Sequence, residues 1–405
     1  MFFFLSFIRV LKLLMLLIML RVLFADPVNA QEKSDSVRTN VKLDSSKTGS
    51  IIIEPAKESE NSLDTASFKV NEVKFIGYPY AFYTPETQFA LGVGGMLYFR
   101  TALLPLQNPS KVTVSGYYTS NSQYYISLKP RIYLPGKKRF YLESDFYYSN
   151  DIGKFYGLGN STSEIENSEY KTTSFGIYLE TQIRGVFFKF LQNGLLFDYV
   201  NVKMEDKMGN PNLSDTSVKG INGGKVGGIG LSFSYDNRDN VSFPSSGGLY
   251  KYSMLFYGRF LASDYTYNRY KIDLRQYVSP LKEHILAFQL YSDLSTGNPP
   301  FFFMPALGGV SRMRGFYEGR YREKNFITVQ AEYRKIVWWR LGFAVFYSAG
   351  DVFHNFNELR VSDVKQAYGL GLRFVFDPKE KINLRVDFGK TNAGTGVYFS
   401  MDEAF

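Results

Sequence analysis

The chain has 405 residues, 17% of them aromatic (31 Tyr, 37 Phe, 2 Trp), and a formal charge of +9. It has no cysteine, which excludes disulfides, thiolate metal sites, a catalytic thiol and a lipoprotein anchor. The basic residues are spread over every segment rather than gathered into a patch or a reader motif, so nucleic acid is not an expected partner. Such a balance suits loops that meet anionic headgroups, or a pore that prefers anions. The length alone would suggest two or three soluble domains. The aromatic content favours a single large barrel, whose strands need apolar outer faces and interfacial rings.

Residues 1–30 read as a secretory signal peptide. Arg9 and Lys12 precede the apolar run Leu13 to Leu20, and Val28-Asn29-Ala30 resembles a small-residue cleavage site. The uncharged run is shorter than the roughly 20 residues a spanning helix needs. Cleavage near Ala30 removes Arg9, Lys12, Arg21 and Asp26, a net of +2, and leaves +7 (9 − 2). Residues 31–71 form a polar periplasmic linker or tail with one apolar island, Ile51-Ile52-Ile53. The segment is too short and too poor in core residues for a domain.

From residue 72 the apolar period is two, and turn signals separate sixteen candidate strands. They span 72–82, 88–100, 110–119, 122–134, 139–149, 169–184, 194–204, 224–237, 248–261, 264–279, 284–295, 325–338, 340–351, 365–376, 381–391 and 395–405. In 88–100, Phe89, Leu91, Val93, Leu97 and Phe99 oppose Gly92, Gly94, Met96 and Arg100. In 325–338, Ile327, Val329, Ala331 and Tyr333 oppose Thr328, Gln330, Glu332 and Arg334. In 381–391, Ile382, Leu384, Val386 and Phe388 oppose Asn383, Arg385, Asp387 and Gly389.

Apolar on one face and charged on the other, over strands long enough to cross a bilayer at a tilt, predicts an all-β fold: a 16-stranded antiparallel transmembrane β-barrel over 72–405. Short turns (Pro135-Gly136-Lys137, Asp377-Pro378-Lys379) alternate with long polar loops (150–168, 205–223, 296–324, 352–364), the asymmetry of periplasmic turns and extracellular loops. Phe405 is in phase with Val397, Phe399 and Met401, so it is expected on the outer face. A terminal aromatic there resembles the sorting signal read by outer-membrane assembly machinery.

The loop before the twelfth strand stands out. Gly308 and Gly309 lead to Met313-Arg314-Gly315-Phe316. A long, arginine- and glycine-bearing connection is costly to order and usually functional. This stretch resembles the sixth-loop motif of the BamA/TamA superfamily of outer-membrane barrels, the bacterial surface antigen family. Flanking pieces resemble the family in order. They are Tyr83-Thr84-Pro85-Glu86-Thr87, Phe155-Tyr156-Gly157-Leu158-Gly159-Asn160, Tyr235-Asp236-Asn237-Arg238-Asp239-Asn240 with Pro244 and Gly247, Ala349-Gly350-Asp351-Val352, Gly369-Leu370-Gly371-Leu372-Arg373-Phe374 and Leu384-Arg385-Val386-Asp387-Phe388-Gly389.

The resemblance implies that the sixth extracellular loop folds inward and that Arg314 pairs with lumen carboxylates, for which Glu332 and Asp387 are the candidates. Gly315 would permit the tight turn and Phe316 would pack on the wall. It also implies a seam between the first and last strands that can open and template incoming strands. Gly77 and Pro79 in the first strand, and Gly394 and Gly396 at the last, would weaken that seam, with Phe405 at its end. Residues 31–71 cannot hold a POTRA module, so the chain resembles a POTRA-less branch.

The implied function is in outer-membrane biogenesis, as insertion or translocation of protein or lipid through seam or lumen. The alternative is a passive channel or structural barrel, self-associating as a homo-oligomer or a subunit of an envelope complex. Expected partners are outer-membrane lipids, lipopolysaccharide and client outer-membrane proteins, in a Gram-negative outer membrane. No enzyme is expected. The two histidines, His284 and His354, should face opposite sides of the membrane, and neither lies in a motif with a nucleophile. No metal cluster, phosphate loop or cofactor motif is present in the sequence.

Overall fold

A computed structural model describes residues 73–99, 110–134, 140–184, 191–377 and 382–405. The expected signal peptide (1–30) and linker (31–71) lie outside the described residues, as do Arg100, the expected turn Pro135-Gly136-Lys137, and Pro378 and Lys379 of the other expected short turn.

The described residues form a closed antiparallel barrel of sixteen strands. The first eleven are β1 (Lys74–Thr84), β2 (Gln88–Phe99), β3 (Ser110–Thr119), β4 (Tyr124–Leu134), β5 (Phe140–Lys154), β6 (Glu169–Arg184), β7 (Gln192–Asp206), β8 (Gly223–Asp236), β9 (Gly247–Tyr257), β10 (Tyr267–Leu281) and β11 (His284–Gly297). A long loop follows, carrying a two-stranded ribbon of its own, β12 (Ala306–Leu307) with β13 (Tyr321–Arg322). The barrel then closes with β14 (Asn325–Trp338), β15 (Leu341–Phe353), β16 (Lys365–Asp377), β17 (Ile382–Thr391) and β18 (Gly394–Met401).

The pleat sorts each strand as the alternation predicts. On β2, Phe89, Leu91, Val93 and Leu97 are exposed on the outside. On β14, Thr328, Gln330, Glu332 and Arg334 are buried on the inside, and so are Asn383, Arg385 and Asp387 on β17. In lipid every backbone group of a spanning segment must be satisfied within the protein, and only a closed sheet or a helix does that. No helix among the described residues is long and apolar enough to span. At the rim of short turns, Trp338 and Trp339 are exposed, where interfacial rings belong.

Strand ends depart from the expected ones where polar residues pair above the apolar band. β5 runs on to Lys154 because Asn150 to Lys154 pair with Thr173 to Glu169. β9 stops at Tyr257, four residues early, because Arg259–Leu261 forms a 3-10 turn. The correction that changes where a residue points is at β18. It stops at Met401 rather than 405, because Asp402 adopts a left-handed φ of 62° and gives its N–H to Asn383 O at 2.8 Å. Residues 402–405 therefore turn into the lumen.

Candidate functional site

The loop 298–324 folds into the barrel, and its β12–β13 ribbon sets the base from which 308–316 descends. Met313 and Gly315 both take left-handed φ (52° and 116°). For Met313 that conformation costs about 1–3 kcal/mol. Its side chain is fully buried in a cluster with Leu307, Phe316, Tyr321 and Phe326, which offsets the strain. Gly315 has no alternative, since a Cβ there would stand 2.8 Å from Thr391 Cγ2 and 3.0 Å from the Gly389 carbonyl carbon. Phe316 is buried in the same cluster, edge-on to Tyr321.

This backbone delivers Arg314 to the inner wall. Its Nη1 donates to Asp387 Oδ2 at 2.5 Å, its Nη2 donates to Glu332 Oε2, and its guanidinium lies 3.6 Å over the Phe346 ring. The side chain is 1% exposed. Burial opposes its charge, but the Glu332 and Asp387 carboxylates outweigh that and hold it above the ordinary arginine range. The structure thus brings together Arg314, Glu332 and Asp387, residues from the loop, β14 and β17.

Three further arginines complete the network. Arg373 on β16 donates to Asp387 (2.6 Å), Glu332 (3.0 Å) and Glu403 (2.9 Å). Arg385 donates to Asp387 at 2.6 Å and to Val310 O at 3.1 Å. Arg334 donates to Glu332 at 2.8 Å and to Phe405 O at 3.0 Å. The sequence reading placed Arg334 and Arg385 on the inward faces without giving them roles. The signal for Arg373 was equally present, as it is in inward phase with Gly369 and Gly371.

Small residues make room for the loop. Gly389 lies under Arg314, and a Cβ there would stand 2.6 Å from the Arg314 carbonyl carbon. Gly371 leaves space for Asp387 and Arg373, and Gly369 for the Phe346 ring. These glycines share cross-strand rows: Gly369 pairs with Gly389, Gly371 with Asp387, and Gly389 with Gly396.

Of the other resembling pieces, the 155–160 stretch meets the same loop and the 349–352 stretch. Gly159 donates its N–H to Arg322 O at 2.9 Å, Asn160 bonds Asp351 at 2.9 Å, and Arg320 reaches Thr162 O at 2.8 Å. The 235–247 piece organises a turn at the opposite rim, where Arg238 pairs with Asp236 (2.7 Å) and Asp239 caps Ser245 N (2.8 Å). His284 bonds Tyr333 Oη at 2.8 Å at that rim, while His354 lies 3.3 Å from Glu323 at the rim of long loops.

The seam is the second part of the site. β1 and β18 share one paired position, Tyr83 with Phe399. β1 is paired to β2 along its whole length, from Lys74–Tyr98 to Thr84–Gln88. Continuing the seam register sets Met401 opposite Ala81, and there β18 stops. The edge of β1 from Phe75 to Tyr80, including Gly77 and Pro79, has no strand partner on that side among the described residues. Gly394 and Gly396 enter β18 from the loop side, and Gly396 leaves room for the Tyr398 ring.

The loop touches both flanks of the seam. Gly315 N donates to Tyr398 Oη (3.0 Å), Tyr398 donates to Phe316 O (3.2 Å), and Glu318 N donates to Glu86 Oε1 (2.7 Å) in the β1–β2 turn. Phe405 corrects the expectation of an outer-face aromatic. It is buried in the lumen with Tyr277, Ala287 and Ala404, beneath Arg334 at 5.3 Å. The turn at Asp402 breaks the phase that Val397, Phe399 and Met401 had set, and Glu403 follows its charge to Arg373.

A closed sixteen-strand barrel with one loop folded into its lumen and a one-position seam defines a class of outer-membrane barrel. Residues 109–396 match the Omp85 superfamily domain, and the chain belongs to that superfamily. Its fold is similar to BamA from Haemophilus ducreyi lacking POTRA domains 1-3 (13% identity, TM-score 0.56, 82% of this chain and 70% of that one). It is also similar to CdiB from Acinetobacter baumannii (14%, TM-score 0.52, 82% and 59%) and to CdiB from Escherichia coli (11%, TM-score 0.54, 83% and 63%). This chain therefore matches under two thirds of the length of either CdiB chain. Among curated protein sequences none matches it. The protein is an integral outer-membrane barrel, and its described residues contain no POTRA module.

Proposed function

We propose that this barrel assists outer-membrane biogenesis by offering the free edge of β1 to incoming strands, in a Gram-negative envelope. The observation that carries the reading is the seam: β1 and β18 share one paired position, and among the described residues no strand pairs with the edge from Phe75 to Tyr80. Backbone groups left unpaired at bilayer depth cost several kcal/mol each, so such an edge favours capture of another strand. An extended segment adding to it would gain main-chain hydrogen bonds without regard to its sequence. Membership of the superfamily that includes BamA-like barrels supports the same reading.

In this reading the loop keeps the β14–β18 wall rigid while β1 remains free to part from β18. Client outer-membrane proteins meet the edge, and outer-membrane lipids and lipopolysaccharide surround it. No catalytic step is assigned to the chain. A passive channel or structural barrel is the rival, and the loop lodged in the lumen weighs against a wide pore. The test is reconstitution of the full chain into liposomes with a urea-unfolded outer-membrane protein. Faster acquisition of protease-resistant client than in empty liposomes supports the proposal. No acceleration, together with steady large conductance in planar bilayers, overturns it in favour of a channel.

A further inference from the structure

We propose that the cavity between the lumen loop and the inner wall of β10 and β11 is a binding site for a phosphate group, held by Lys271, Arg312 and Arg322 beside the Arg269–Asp293 pair. The cavity measures about 310 Å³. Four cations line it against two carboxylates, Asp293 and Glu318, a surplus of two positive charges. Lys271 also feels Asp198, but Tyr257 already hydrogen-bonds that carboxylate at 2.7 Å.

The cations differ in what they have left to give. Arg269 is committed to Asp293, with Nε and Nη2 each donating at 2.7 Å. It forms a fixed, neutralised wall, braced 5.1 Å over the Phe303 ring. Arg322 is buried. One nitrogen donates to Phe301 O at 2.8 Å, but its Nε has no partner among the described residues. Arg312 lies 3.9 Å over the Tyr291 ring, and Lys271 is half-buried on β10. Neither has a hydrogen-bond acceptor among the described residues. Buried donors are nearly always satisfied, and like charges are gathered at a cost unless an anion joins them.

A phosphate ester carries about −1.5 to −2 charge and three acceptor oxygens, which fits the surplus and the spare donors. Phe302, Phe303 and Met304 line one side, so the organic group that bears the phosphate has an apolar surface to lie on. The phosphate could belong to a lipid headgroup or be free in solution. The site is separate from the seam, and its occupancy does not depend on strand capture there.

The test titrates the purified full chain in detergent with inorganic phosphate and with dodecyl phosphate, followed by calorimetry and phosphorus NMR. Saturable binding of at least one probe is expected. The affinity should fall by about tenfold or more in Lys271→Met and in Arg312→Met, with heat-modifiable gel migration unchanged, and Arg312→Lys should retain most of it. Tighter binding of dodecyl phosphate assigns the site to a lipid-borne phosphate, and equal binding assigns it to free phosphate. No saturable binding of either probe, or wild-type affinity in both methionine variants, overturns the proposal.

Discussion

Arg314 is one of four buried guanidinium groups set against three carboxylates, Glu332, Asp387 and Glu403. The surplus of one positive charge makes the two ends of its ion pairs unequal. Arg314→Ala leaves three arginines facing three acids, with every carboxylate still bonded, and should cost about 1.5–3 kcal/mol. Asp387→Asn leaves four arginines to two acids and should cost more, about 3–5 kcal/mol. In the double variant the loss should fall well short of the sum, because removing Arg314 relieves the imbalance that Asp387→Asn creates. Heat-modifiable migration of the folded barrel measures all three, and additive losses would show that the two residues do not share a network. A second prediction concerns space. Gly389→Ala sets a methyl group against the Arg314 backbone, which cannot yield as a flexible side chain could. It should lift the loop and expose Arg312 to external trypsin. Gly77→Ala meets only the tip of the Phe75 ring at 3.3 Å and should leave the loop protected. Protection of the loop in Gly389→Ala would mean that the glycine row is not what seats it. At this scale Arg314, Glu332 and Asp387 were legible because a loop motif and an alternating strand are local patterns. Glu403 was not, because its partners Arg334, Arg373 and Asn383 stand on three other strands, β14, β16 and β17, distant from it in sequence.

At the scale of elements, β18 and the tail that follows decide the state of the seam. If residues 402–405 extended as a strand, the register of Tyr83 with Phe399 would bring Phe405 opposite Gly77. Instead Arg373 and Asn383 hold Glu403, and Arg334 holds Phe405, inside. The absence of native cysteine makes this directly testable. Tyr83→Cys with Phe399→Cys should form a disulfide readily on mild oxidation, since paired strand positions meet the required geometry. Gly77→Cys with Phe405→Cys should not, and adding Glu403→Ala should raise its yield. Rapid bridging of the 77–405 pair in an otherwise native chain would mean that the seam is zipped along its length. The strands themselves were readable because the pleat alternates every residue between lipid and lumen, whatever lies elsewhere. Their ends were less so, since β5 continues on hydrogen bonds between polar residues that carry no alternating signal. The tail was misread for a definite reason: one left-handed residue, Asp402, flips the phase, and no neighbouring sequence announces it.

Among the described residues the barrel joins a wall tied by ion pairs to an edge of β1 with one strand-paired position on β18. From β14 to β18 the wall is cross-linked by buried ion pairs through the lumen loop. At the seam, the described residues tie β1 to β18 by one strand-paired position, and the Glu318–Glu86 contact adds to it at the loop rim. The inner face of β1 also leans away from the seam, with the Tyr78 and Tyr80 rings lying over Gly94 and Gly92 of β2. In the proposed reading, opening at β1 breaks few of the bonds among the described residues, while opening between β14 and β18 would break the charged network. The most direct test is photo-crosslinking in living cells from Phe75, an exposed position on the β1 edge. The account predicts adducts with other outer-membrane proteins during their assembly, and fewer when Glu403→Ala frees the tail to cover the edge. Adducts only with residues 395–405, or only with a second copy of the same chain, would contradict it and leave the seam a structural joint.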